Sequence, residues 1–179
     1  MLIAVRRAAA ADGAHMHALT ASVRPARVPE DMDPAAGFLM SLHPAETYSR
    51  RAAASHLCFV AESASGLAGF LTAYPASLCA CWYPPDSGYA RAMAEAGPDS
   101  VLLDQIAVSP AHRKLGVATR LYDAFAAACG PRPVVLDILH APVANLSSLR
   151  FFRDQRGYRL LRESASSGFV YGLYLAPRP

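Results

Sequence analysis

Lysine is almost absent. Lys114 is the only one in the chain, so arginine supplies nearly all of the 17 basic side chains among 179 residues. The formal net charge is only +3, and outside one motif the densest basic runs are the pairs Arg6-Arg7 and Arg50-Arg51. That is no electrostatic footprint for nucleic acid. Long apolar runs are missing as well: the uninterrupted ones are strand-length, far short of a membrane span. The opening "MLIAVRRAAAADGAHMH" places its arginines after the apolar residues, the reverse of a secretory signal. Cysteine is sparse, and Cys58, Cys79, Cys81 and Cys129 have no zinc spacing. His15 and His17 stand two apart in a helix-like stretch and point to different sides. No metal site is expected. Neither a G-x-x-x-x-G-K-[ST] loop nor a G-x-G-x-x-G fingerprint occurs, and no internal repeat or interdomain linker is visible. These absences lead us to expect a soluble, cytoplasmic protein without nucleic-acid or membrane partners. The preference for arginine and alanine is that of a GC-rich bacterial genome.

What remains is globular material. Apolar residues make up 53% of the chain and charged residues 17%, enough for a single domain over residues 1–179 with one sizeable core. "LIAVRR" alternates as a strand, and Asp12 is placed to cap a helix "GAHMHALTASV". Pro25, Pro29 and Pro34 make the next stretch a loop. "GFLMSLHPAETYSRRAAAS" has helical spacing around Pro44 and suggests two short helices. "HLCFVAES" and "LAGFLTAYP" read as a hairpin. The Pro- and Gly-rich "ASLCACWYPPDSGYARAMAEAGPDS" is helical only over "YARAMAEA". "VLLDQIAV" and "PVVLDIL" are strands with the near-continuous apolar character of double-sided burial. A helix is expected from about Lys114 to Cys129 with Leu115, Ala118, Leu121, Tyr122 and Phe125 as its core stripe. A second follows in "NLSSLRFFRDQR", capped by Asn145 and stopped at Gly157, and a hairpin across "ASSG" closes the chain. The order predicts an α/β (α+β) domain with a mixed central sheet of about seven strands flanked by helices.

Chemistry concentrates in "SPAHRKLGVATRLYDAF", which follows the apolar "SVLLDQIAV". A turn entering a helix offers unsatisfied N–H groups and the positive end of the helix dipole. Arg113 and Lys114 add charge, Gly116 lets the main chain come close, and Ala118 stays small. Such a site suits a pyrophosphate. For "RKLGVA" alone, a turn that simply needs a glycine and solvated charges is an equal alternative.

The wider segment resembles the pantetheine and pyrophosphate motif of the GCN5-related N-acetyltransferases. There, a strand ending in V-x-P leads into Q/R-x-x-G-x-G/A, here Val108, Pro110, Arg113, Gly116 and Ala118. "DILHAPVANLSSLRFFRDQRGYRL" resembles the same family's later segment through Asn145, Ser148, Phe151-Phe152 and Gly157-Tyr158. The hairpin before the motif also matches. Two departures stand out: Phe152 occupies a position where the family commonly has a tyrosine, and the gap to Gly157 is one residue longer.

The resemblance implies transfer of an acetyl or other short acyl group from coenzyme A to an amine. It also implies central strands that splay apart to form the acyl-CoA cleft. On this basis Ile106, Ala107 and Val108 would bond the pantetheine and thioester, with the Val108 N–H facing the developing oxyanion. Arg113, Lys114, Leu115, Gly116, Val117, Ala118 and Thr119 would take the pyrophosphate. Asn145, Ser148 and Phe152 would lie along the cofactor. For the base that frees the amine, Asp104 comes first, unless it is simply bonded to neighbouring backbone or an arginine; Glu62 is second, and His140 third unless it is a solvated loop residue. Tyr122 and Tyr158 are weak candidates for the acid. Trp82 and Tyr83 would flank an acceptor opposite Gly37 to His43, unless they only cover the core. A homodimer through the last strands is possible. The competing function is a non-catalytic acyl-CoA-binding or regulatory module of the same fold.

Overall fold

Strand formation follows the apolar alternation described above. In the computed structural model, which describes residues 2–177 apart from residue 86, β1 (Ala4–Arg7) pairs antiparallel with β2 (Phe59–Ser63), and β2 with β3 (Gly66–Pro75). Then come β4 (Val101–Val108), β5 (Val134–Ala141), β6 (Arg159–Ser166) and β7 (Phe169–Leu175). The hydrogen-bonded order is β1-β2-β3-β4-β5-β7-β6. The chain divides into two compact units. One comprises Met1–Arg24, Leu39–Tyr74 and Leu103–Gly130; the other comprises Pro25–Phe38, Pro75–Leu102 and Pro131–Pro179.

The first unit holds β1, β2, most of β3, the Leu103–Val108 part of β4, and the helices α1 (Gly13–Val23), α2 (Ala45–Ala54) and α5 (Val117–Cys129). Its core joins Met16, Leu19, Tyr48, Val60, Phe70 and Ala107. Three polar side chains inside it join in one hydrogen-bonded chain. The Tyr48 hydroxyl donates to Gln105 Oε1 at 2.8 Å and lies 2.9 Å from Thr20 Oγ1. Gln105 Nε2 in turn donates to the Ser41 carbonyl at 2.8 Å. On β3, Gly69 sits where a side chain has no room. A Cβ there would lie 2.7 Å from the Ala107 carbonyl oxygen, 2.9 Å from Val117 Cγ1 and 3.2 Å from Leu121 Cδ1.

The second unit holds α3 (Ala76–Trp82), α4 (Gly88–Ala96), β5, α6 (Leu146–Leu149), β6 and β7. Residues Val101 and Leu102 of β4 belong here and run parallel to β5, in register with Val134 and Val135. β5 pairs antiparallel with β7, and β7 with β6. The closing hairpin turns at Ser167 and Gly168, both in the left-handed region. Among the described residues, no helix is long and apolar enough to cross a membrane.

Five local expectations need correction. Asp12 does not cap α1 with its side chain; Arg6 engages both its oxygens at 2.8 Å and the Ala9 N–H donates to it at 2.7 Å, and this bidentate pair holds Asp12 below the ordinary carboxylate range. Residues 37–43 are not helical and α2 begins after Pro44, because a residue before proline is driven to extended backbone. Ala76–Trp82 is helical although seven mostly small residues are too few for a periodic signal. Residue 86 lies outside the described residues. The helix expected from Lys114 starts at Val117; Leu115 is 47% exposed, and the buried stripe is Val117, Leu121, Phe125 and Cys129. Last, the helix in "NLSSLRFFRDQR" is α-helical only to Leu149 and continues as a π-helical segment over Arg150–Gln155. That is how a helix absorbs one extra residue, and the gap to Gly157 carries one more than the family pattern.

The crowding at Gly69 is directly testable. Gly69→Ala should destabilise the chain by about 1–3 kcal/mol, because its methyl meets a backbone oxygen that cannot swing aside. Urea unfolding with an unchanged midpoint would show that β3, β4 and α5 do not converge there.

Candidate active site

The turn after β4 is built to leave amides open. Past β4 the chain makes a three-ten turn over Pro110–His112, after which Arg113 is extended. Lys114 (φ 61) and Gly116 (φ 75) are both left-handed, a conformation that glycine adopts freely and lysine rarely. Gly116 caps α5, and the first helical bond runs from the Arg120 N–H to the Gly116 carbonyl at 3.0 Å. The N–H groups of Val117, Ala118 and Thr119 thus have no acceptor within the helix. A Cβ built on Gly116 meets nothing within 4 Å, so its surroundings are open and the backbone angle is what requires glycine. Lys114, Thr119 and Arg120 are exposed and Arg113 is half-buried. Positive side chains, the dipole end of a thirteen-residue helix and free amides here share one open surface. This fits the two negative charges of a pyrophosphate.

His112 holds the turn in place and was not singled out by the sequence. It is buried, with Nε2 3.0 Å from Ser63 Oγ and 3.4 Å from Ser65 Oγ. Ser63 ends β2 and Ser65 lies in the β2–β3 turn, so nothing local to "AHRK" signals the contact. Next to it the Ser109 N–H donates to the Ala68 carbonyl at 2.9 Å. In a strand, successive residues direct their N–H and C=O groups to opposite edges. With Ser109 and Ala107 turned toward β3, the amides of Ile106 and Val108 face away from it. Both residues are half-buried.

Of the base candidates, Asp104 lies on the same strand. Arg51 Nη1 donates to its Oδ2 at 3.2 Å with side-chain exposures of 6% and 8%, and the Tyr74 hydroxyl donates to the same oxygen at 3.4 Å. Arg51 also sits 5.4 Å over the Tyr74 ring, and its Nη1 is 3.1 Å from His43 Nε2. Burial and the Arg51 charge hold the His43 imidazole below its ordinary value, so it is neutral at pH 7. Burial, followed by the charge of Asp104, pushes the Tyr74 phenol well up. In the sequence Arg51 looks like half of a solvated pair, Arg50-Arg51. Only the three-dimensional fold distinguishes the buried arginine from the exposed one. Glu62, the second candidate, accepts from Arg6 at 2.6 Å and 3.1 Å beside the Arg6–Asp12 pair. The structure thus places Asp104 beside the Ile106–Val108 backbone and commits Glu62 to Arg6.

Most of the remaining candidates belong to the second unit. His140 has both ring nitrogens engaged, Nδ1 at 2.7 Å from Glu163 Oε1 and Nε2 at 2.9 Å from the Tyr174 hydroxyl. Asn145 caps α6 by accepting from the Ser148 N–H at 3.1 Å and donates to the Phe38 carbonyl at 2.9 Å. Phe152, only 3% exposed, packs edge-on against Phe151 and Tyr158 with ring centroids 5.0 and 5.4 Å away. A π-helical segment carries it. Tyr158 is itself buried. In the first unit Tyr122 is half-buried and packs edge-on against Phe125.

The sequence profile of the acetyltransferase (GNAT) family matches residues 27–158. No curated protein matches the chain. Similar solved structures include the diaminobutyrate acetyltransferase EctA from Paenibacillus lautus, in complex with its substrate L-2,4-diaminobutyric acid and coenzyme A. It is 18% identical with a TM-score of 0.64, over 99% of this chain and 95% of that one. Ard1 from Thermoplasma volcanium is 14% identical with a TM-score of 0.65, over 99% of this chain and all (100%) of that one. NAA60 from Arabidopsis thaliana, in complex with a bisubstrate analogue, is 16% identical with a TM-score of 0.62, over 98% of each chain. Identities of this size speak for the fold, whereas the profile spans well over half of the sequence. Together with the glycine-capped turn between β4 and α5, that match shows that this chain belongs to the acetyltransferase (GNAT) family.

Proposed function

We propose that the chain transfers an acetyl group from acetyl-CoA to a primary amine by direct attack on the thioester. The observation that carries this is the left-handed pair Lys114 and Gly116, which opens the amides of Val117, Ala118 and Thr119. Acetyl-CoA supplies an activated acyl carbon and a thiol that can depart. The backbone of Arg113 to Thr119 would hold its pyrophosphate, and Ile106 and Val108, facing away from β3, would pair with the pantetheine amides. The Val108 N–H would donate to the thioester oxygen as negative charge builds there, a role worth about 3–4 kcal/mol in other enzymes.

The amine must shed a proton. For a lysine-like amine at pH 7 this costs about 4–5 kcal/mol. We assign that proton to Asp104, two residues before Ile106 on β4. Arg51 and Tyr74 fix its Oδ2. It would take the ammonium proton as a general base, directly or through a water, and pass it on to solvent. Phe152 offers no hydroxyl, so the departing thiolate would take its proton from solvent. The acceptor is a small-molecule or protein amine. Structures named for acetylation of a diamino acid and for complexes with bisubstrate analogues are compatible with either.

Thiol release from acetyl-CoA with a panel of amines tests the reaction. Turnover on at least one amine is expected, whereas CoA binding without thiol release on any would favour a non-catalytic acyl-CoA-binding module. Gly116→Glu should abolish CoA binding, since it projects a carboxylate into the open space before α5. Near-normal affinity in a folded variant would refute this placement of the pyrophosphate. Asp104→Asn should lower kcat by about a hundredfold with CoA affinity retained. A kcat within a factor of about two of the parent would remove Asp104 from the reaction.

A further inference from the structure

The Arg51–Asp104 pair has a third member that this scheme leaves without a task. His43 lies in the first unit, in the non-helical stretch just before α2. Groups on three elements fix its position. His17 Nδ1, on α1, donates to the His43 carbonyl at 2.7 Å. Gln105 Nε2, on β4, donates to the Ser41 carbonyl two residues earlier at 2.8 Å. The half-buried imidazole packs edge-on against Tyr48 on α2, with ring centroids 5.6 Å apart. Arg51 Nη1 lies 3.1 Å from His43 Nε2 and 3.2 Å from Asp104 Oδ2. That nitrogen carries two hydrogens, one for each of these partners. A guanidinium has no lone pair to offer, so Nε2 must accept, and the proton of the neutral ring sits on Nδ1.

We propose that His43 is a positioning residue for the reaction: its neutral imidazole accepts from Arg51 and so aims the guanidinium that orients Asp104. This rests on the acetyl transfer with Asp104 as base proposed above. A proton on Nε2 ends the arrangement, since an imidazolium has donors only and sets a second cation against Arg51. Burial, followed by the Arg51 charge, outweighs the opposing pull of Asp104 and holds His43 below its ordinary value. The contact is therefore complete above that lowered value and lost as pH falls through it, when the base loses its alignment. The other groups around the ring do not imitate this. Burial pushes the phenols of Tyr48 on α2 and Tyr74 on β3 above their ordinary value, and the Cys58 thiol up to about 12. All three stay protonated on acidification. His17 donates from Nδ1 whether the ring is neutral or charged, so its own titration leaves the His43 carbonyl held.

The test follows kcat for thiol release against pH in the parent, His43→Gln and His43→Phe, at saturating amine. Glutamine brings an amide oxygen to the place of Nε2 and keeps an acceptor that does not titrate. Phenylalanine keeps the ring on Tyr48 and removes the acceptor. In mild alkali His43→Phe should have a kcat about tenfold below the parent, and His43→Gln should recover most of that loss. On acidification the ratio of parent to His43→Gln should fall about tenfold, with its midpoint at the titration of the His43 ring followed by nitrogen-15 NMR. Circular dichroism at each pH and retained CoA affinity certify that each protein is folded. A ratio that does not change with pH, a His43→Phe as fast as the parent, or no recovery with glutamine overturns the positioning role while leaving acetyl transfer intact. The same NMR spectra should show the neutral His43 ring protonated at Nδ1; a ring protonated at Nε2 also overturns it. Absence of thiol release from any amine rejects acetyl transfer and this role with it, whichever nitrogen carries the proton.

Discussion

The contact at Gly69 governs the geometry of the first unit. A hydrogen in place of a side chain lets the Ala107 carbonyl, Val117 and Leu121 converge on one point of β3. That convergence sets two directions at once. It turns Ala107 toward β3, which by strand alternation turns Ile106 and Val108 the other way. It also fixes where α5 begins, since Val117 is the first helical residue and already buried. The amides proposed for a pantetheine arm and those proposed for a pyrophosphate are thus oriented by the same packing event, and His112 secures the turn between them through Ser63 and Ser65.

Charge is handled differently in the two units. In the first, Asp104 is buried against Arg51, with Tyr74 and His43 around the pair. Removing one partner of such a pair costs about 3–5 kcal/mol, because the other stays buried and uncompensated. The arrangement is therefore rigid, and holding His43 neutral preserves it: protonation on acidification would add a second positive charge beside Arg51. In the second unit, Asp137 accepts from the Tyr89 hydroxyl at 2.9 Å.

The late helix shows how a family pattern bends without breaking. One additional residue between Asn145 and Gly157 is absorbed by the π-helical segment Arg150–Gln155. Asn145 still caps and Tyr158 still packs, while Phe152 turns into a buried aromatic cluster. A phenylalanine there does no proton chemistry, and the fold gives it a packing role instead.

The strands, the order of elements and the turn into α5 were legible from residue pattern alone, because apolar alternation and the R-K-L-G-V-A spacing are local and survive in one dimension. Asn145 as a cap was equally legible. Several features were not: α3, the late start of α5, the bidentate hold of Arg6 on Asp12, and the difference between Arg50 and Arg51. The buried charge depends on a partner distant along the chain, as Arg51 depends on Asp104, and so does the anchoring of the turn by His112 through Ser63; α3 is too short for a periodic signal. Sequence by itself determined the strands and most of the helices, and that a turn with open amides would lead into the helix after β4. Only tertiary structure decided which charged side chains are buried and what neutralises them, since burial is set by packing between segments that no local spacing encodes.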